Sequence, residues 1–327
     1  MELKAATPRQ KRWRRFKRKI KYNTKYPVIF FFLKILIWFT QRLSRERAIN
    51  LYASLASFVF RILPRDSQKT INNIKIIYGD KKSEEEIREM ARNVFMHQAR
   101  NLADYVWTLH VETRDQFLEF VDVVGEEHLK EAYERGKGVI CLICHMGSWE
   151  FSAIAPPLLG YETTAVSKAL KDERLNKMII GHRERRGMKN LSRGKTYPLL
   201  IEALNKGECL IIMIDQDTKV KSIFVDFLGK KAYTPIGGAL LALDTEAAVV
   251  PMAMKRLPNN KHQFTIKPEI EIIRTDDKQK DIHVNTENFN RVIEEFISED
   301  PEQWVWMHER WRTTPENYAK LRELGYI

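Results

Sequence analysis

The sequence predicts an α/β fold: a mostly parallel central sheet flanked by helices, preceded by an N-terminal helical membrane-anchoring region. Three observations predict it. From about residue 117, short β-branched runs alternate with helix-period stretches, the pattern of successive βα units. Residues 139–144 (VICLIC) are apolar at every position, as a strand buried on both faces of a parallel sheet requires. Residues 26–40 (YPVIFFFLKILIWFT) form an apolar stretch directly behind a basic arm.

Residues 1–25 are the arm. They hold eleven Lys/Arg against one acid, and so carry ten of the twelve net positive charges; the other 302 residues carry two. A basic tail suits nucleic acid or anionic lipid. The apolar run that follows decides for lipid and against nucleic acid. Residues 26–44 then read as a membrane anchor helix. The run is shorter than the ~20 residues of a perpendicular span, so it either crosses with help from flanking residues or lies in the interface. Tyr26 and Trp38 flank it at headgroup level, and the positive-inside rule keeps the arm in the cytoplasm beside anionic headgroups. No small-residue cleavage site follows, which argues against a secretory signal.

Residues 45–112 read as a helical region. Residues 48–63 are apolar and helix-length, stopped by Pro64. Ser83 to Glu86 match a capping box, followed by Ile87, Met90, Val94 and Phe95 at helical spacing. Residues 113–327 hold the α/β part. Strands are expected at 117–124, 138–144, 163–167, 209–214, 248–254 and 264–272, and helices near 125–135, 149–158, 171–186, 196–206 and 285–299. With 44% apolar and 30% charged residues, the chain has ample material for a core and is not disordered. Three cysteines make no disulfide framework, and a reduced, cytosol-facing setting fits them.

Chemistry is expected where the buried strand ends, in Cys144-His145-Met146-Gly147-Ser148-Trp149-Glu150. Ligands of open α/β sheets bind at the carboxyl ends of strands. A histidine there, with Glu150 one turn into the next helix to fix its tautomer, suits proton abstraction from a hydroxyl near neutral pH. Cys141-x-x-Cys144-His145 also matches a haem-attachment pattern, but cysteines three apart on a strand face opposite sides of the sheet, and core packing is their expected fate. Zinc lacks a second ligand pair. There is no Gly-x-Ser-x-Gly elbow and no phosphate-binding Gly-x4-Gly-Lys-Ser/Thr loop.

With these residues in view, the sequence resembles the late acyltransferases of lipid A synthesis, the lauroyl/myristoyl transferases of the lysophospholipid acyltransferase superfamily, over roughly residues 26–313. His145-x4-Glu150 resembles the family's catalytic pair. Leu175, Asn176, Arg183 and Gly187 resemble its Leu-Asn…Arg-x3-Gly block. Asp215-Gln216-Asp217 and the following Ile223-to-Gly229 stretch resemble its Asp-Gln-Asp…Val-x-Phe-Phe-Gly block, with Leu228 in place of one Phe. Residues 301–311 (PEQWVWMHERW) resemble its Trp-rich ending.

The resemblance implies a glycerolipid-acyltransferase-like fold and direct acyl transfer, without a cofactor or metal, from an acyl carrier protein or CoA thioester to a hydroxyl of a lipid A precursor at the cytoplasmic face of the inner membrane. His145 is then the general base, Glu150 its orienting carboxylate, and Arg183 the candidate stabiliser of the oxyanion. Lys168, Asn176, Asp215 and Asp217 are candidate substrate-binding residues, the two aspartates orienting a basic side chain such as an arginine. Ser167-Lys168 stands where many members carry Arg-Pro, a point charge in place of a bidentate fork. Trp304, Trp306 and Trp311 are expected to pack rather than touch substrate. Two alternatives stand beside this reading: an acyltransferase on another glycolipid, such as a phosphatidylinositol mannoside, using acyl-CoA; and a non-enzymatic membrane-tethered adaptor.

Overall fold

The computed structural model describes Trp13 and residues 26–323, except 171, 193 and 195; the basic arm expected at 1–25 lies otherwise outside the described residues. Four helices come first: α1 (Tyr26–Thr40), α2 (Arg45–Ile62), α3 (Pro64–Tyr78) and α4 (Glu84–Trp107). Ser44 caps α2 through its side chain, and Pro64, expected only to stop that helix, opens α3 at a position where its missing N–H costs nothing. The capping box at Ser83 and Glu86 forms as expected.

The α/β part follows as α5 (Arg114–Leu118), β1 (Val121–Val124), α6 (Glu126–Glu134), β2 (Val139–Ile143), α7 (Trp149–Leu158), β3 (Thr163–Ser167), α8 (Glu173–Glu184), β4 (Met188–Ser192), α9 (Tyr197–Asn205) and β5 (Cys209–Met213). A hairpin of β6 (Ser222–Phe227) and β7 (Lys230–Pro235) leads to α10 (Gly237–Asp244), β8 (Ala248–Arg256), β9 (His262–Ile266), α11 (Lys278–Glu299) and α12 (Tyr318–Glu323).

Seven strands make the main sheet in the order β1-β9-β8-β2-β5-β3-β4, parallel except where β9 meets β8. β2 sits at its centre. Its alternate residues feed two cores: Ile140, Leu142 and Cys144 pack under α2, α3, α4, α9 and α11, while Val139, Cys141 and Ile143 pack under α5, α6 and α7. The two cysteines therefore face opposite sides, and all three cysteines are buried and unpaired. α2, α3 and α4 share a continuous core with the sheet.

Several expectations change. The strand expected at 117–124 starts only at Val121, because Thr113 and Gln116 form a capping box that turns Phe117 into a helix. The strand expected at 264–272 ends at Ile266, just before Pro268. The helix expected as an anchor at 26–44 covers only Tyr26–Thr40, 15 residues, and at 1.5 Å per residue reaches about 22 Å against a ~30 Å hydrocarbon layer. Among the described residues, no helix is long and apolar enough to cross a membrane, so the spanning alternative is not supported. The helix instead leaves Phe31, Phe32, Trp38 and Phe39 exposed, and α2 exposes Leu51, Leu55, Phe58 and Ile62 along one side.

Candidate active site

β2 and β5 are paired in parallel with Ile143 opposite Met213. Two residues further on, the same register sets His145 against Asp215. The Asp215 carboxylate accepts from the His145 backbone N–H (2.7 Å), lies 2.7 Å from His145 Nδ1, and accepts from Trp304 Nε1 (2.9 Å). Asp215 is fully buried, while the His145 side chain keeps 19% of its surface open. Burial alone would raise the Asp215 pKa, but His145 and the three donors outweigh it and hold the carboxyl at about 2. An ionised Asp215 can only accept, so Nδ1 carries the proton and donates it as a hydrogen bond, which leaves Nε2 as the nitrogen able to receive one.

The residue expected to orient His145 does something else. Glu150, in the first turn of α7, accepts on both oxygens from Arg183 Nη2 of α8, at 2.8 and 2.9 Å. Asp215 holds His145 in its place, because a strand neighbour in register reaches the ring more directly than a residue on the next helix. The basic partner expected for Asp215 is thus the histidine, not an arginine. Trp149 lies beside the imidazole, its ring centroid 6.0 Å from that of His145. Tyr105 of α4 sits within the field of Glu150 and Arg183; burial first, then Glu150, push its phenol up to about 12.

The other expected site residues separate. Asp217 is buried and tied to Arg312 Nη2 (2.8 Å) and the Thr313 N–H (2.9 Å), so it anchors the C-terminal segment rather than facing a ligand. Asn176 accepts from the Leu170 N–H (2.8 Å) and shapes the loop before α8. Lys168 is exposed and lines a groove of about 420 Å³, whose walls are Tyr26, Ile29, Phe30 and Leu33 of α1 and Leu170 and Leu175 opposite. Among the described residues, no three His, Cys, Asp or Glu side chains gather to hold a metal ion.

The Trp-rich ending enters the site after all. Met146 and Trp304 form an isolated antiparallel bridge, and the Val305 N–H donates to the His145 carbonyl (3.1 Å). Trp304 and Trp306 are fully buried, as expected of packing residues, yet Trp304 is also a direct partner of Asp215. A tryptophan spaced one strand-step from a second aromatic gives no sequence signal of which carboxylate its N–H will meet.

Residues 15–313 match the bacterial lipid A biosynthesis acyltransferases. Similar proteins include the lipid A biosynthesis lauroyltransferase of Escherichia coli (strain K12), 24% identical over 289 residues that span 86% of this chain and 90% of that protein. The lipid A biosynthesis palmitoleoyltransferase of the same strain is 27% identical over 213 residues, 61% of this chain and 64% of that one. The phosphatidylinositol mannoside acyltransferase of Mycolicibacterium smegmatis (strain ATCC 700084 / mc(2)155) is 30% identical over 138 residues, 41% of this chain and 45% of that one.

Proposed function

The chain belongs to the bacterial lipid A biosynthesis acyltransferase family, and from that premise we propose that it moves a fatty acyl chain from an acyl carrier protein or CoA thioester to a hydroxyl of a lipid A precursor. The observation that carries the mechanism is His145 at the end of a central parallel strand, its Nδ1 held by an ionised, buried Asp215.

The acceptor O–H gives its proton to His145 Nε2 as its oxygen attacks the thioester carbon. The tetrahedral intermediate then collapses, the C–S bond breaks, and the imidazolium returns its proton to the departing thiolate. Asp215 stabilises the imidazolium throughout, and base help of this kind contributes about 10²–10⁴ in rate. Arg183 supplies positive charge for the oxyanion, with Glu150 holding its Nη2. Glu150 thus acts on the arginine.

The substrates are amphiphiles, and the chain carries features for them. The groove between α1 and the 168–175 segment pairs apolar walls with the Lys168 ammonium at its edge, a combination that suits a lipid tail beneath an anionic headgroup. The exposed aromatics of α1 and the aliphatic side of α2 suit burial in the headgroup region of the inner membrane, on its cytoplasmic face, with the basic arm beside anionic lipids.

The test is acyl transfer by His145→Ala on isolated membranes with a labelled acyl thioester. Loss of about 10²-fold or more is expected, and near-wild-type turnover would remove the mechanism. The mannoside reading draws on the 30% identity to the mycobacterial enzyme. Mass spectrometry of total lipid from cells with and without the protein separates it from the lipid A reading.

A further inference from the structure

Behind the His145 turn lies a buried polar chain that the transfer step does not use. Asn101 of α4 is buried and donates from Nδ2 to the Gly147 carbonyl (2.7 Å). Its Oδ1 accepts from Arg256 Nη2 (3.0 Å). Arg256 is itself buried, its Nη1 2.6 Å from Asp104 Oδ2. Asp104, one helical turn from Asn101, also meets His262 Nε2 (2.9 Å) and both Nε and Nη2 of Arg45 (2.8 and 3.1 Å). The backbone of Arg256 is clamped on both sides by Gln303, whose carbonyl in turn accepts from the Gly147 N–H (3.0 Å).

Gly147 is the point at which these bonds converge. Its φ is +50°, and a β-carbon there would run into the Met254 carbonyl. The turn from His145 to Ser148 therefore has no side chain at 147 to pack it in place. It is held by three hydrogen bonds: the Gly147 N–H donates to the Gln303 carbonyl, and the Gly147 C=O accepts from the Trp149 N–H (3.1 Å) and, more closely, from the Asn101 amide (2.7 Å), which is itself oriented by a charge pair.

We propose that Asn101 is a positioning residue for His145: its amide fixes the Gly147 carbonyl and hence the turn that presents the imidazole, while Arg256 and Asp104 fix Asn101. Arg45, the first residue of α2, extends the chain to the helices on the exposed apolar side, so the seating of those helices and the placement of His145 share one polar network. The inference rests on His145 being the reactive group.

Asn101→Asp tests it. The carboxylate keeps the side-chain shape and the acceptor facing Arg256, but it cannot donate to the Gly147 carbonyl. The expected result is a fall of about tenfold or more in kcat, with KM for donor and acceptor within about twofold and a thermal transition that is lowered but still cooperative, since misplacing a reacting group acts on the transition state while the lost buried bond costs stability. If that variant does not fold, Arg256→Lys, which keeps the charge facing Asp104 and drops the Nη2 bond to Asn101, carries the same expectation with a loss of about threefold or more. His145→Ala is run alongside. An inactive His145→Ala with wild-type kcat in the folded Asn101 or Arg256 variant overturns the positioning role alone; an active His145→Ala overturns the premise beneath it.

Discussion

Two carboxylates lie near His145, and their surroundings are opposite. Asp215 is sealed in the core, bound to three donors from two segments, and belongs to the sheet. Glu150 stands 27% exposed at the start of a helix and has an arginine from another helix as its partner. The first is built to hold one charge state and one geometry. The second sits where solvent reaches, and its arginine keeps a charge near the surface, which is what the proposed oxyanion role needs. Sequence proximity paired His145 with Glu150; the sheet pairs it with a residue 70 positions away.

The comparison breaks most sharply on Asp215→Asn. That amide cannot stabilise an imidazolium, and turnover should fall by about 10²–10⁴, the range of a lost base function, measured as kcat with saturating donor. An equal loss on Glu150→Gln with Asp215→Asn left active would reverse the two roles. Next comes pH. The Asp215 carboxyl is held near 2 when folded and titrates near 3.9 when unfolded, so its contribution, about 2 kcal/mol, is full above about pH 4 and is lost as pH falls towards 2. Chemical denaturation across that window should show a steeper decline for the wild type than for Asp215→Asn. Smaller still is Arg183→Lys, which keeps the charge and loses the fork; kcat should drop about tenfold with donor KM little changed, read from initial rates. Smallest is Trp304→Phe. It removes one of three donors to Asp215 and should cost about 1 kcal/mol of stability and a few-fold in kcat, seen by thermal melting and the same assay.

The sequence shows the parts of this molecule whose signals are local. The run at 139–143 is apolar on both faces and could hardly be anything but a central strand; 163–167 matches β3 to the residue. β4 escaped because Met188-Lys189-Asn190-Leu191-Ser192 is an edge strand with polar residues, and no alternation marks it. The β6–β7 hairpin escaped because its turn puts Leu228 at φ +51° before Gly229 at +74°, and leucine is a poor flag for such a turn. In the site, His145 and its strand-end position were legible. Its partner was not, since that depends on β5 lying beside β2, and strand order in a parallel sheet leaves no mark on one sequence. Asp217 misled for a related reason: two aspartates flanking one residue look equivalent, yet one faces the ring and the other the C-terminal segment.

The row of Leu51, Leu55, Phe58 and Ile62 on α2 has a practical consequence. It gives α2 one greasy flank that water wets poorly. Purified without detergent or lipid, copies should stick to one another through that flank and elute as large particles. Replacing the four by Ser or Gln should yield a well-behaved monodisperse sample whose catalytic machinery is untouched, but which has lost its grip on vesicles.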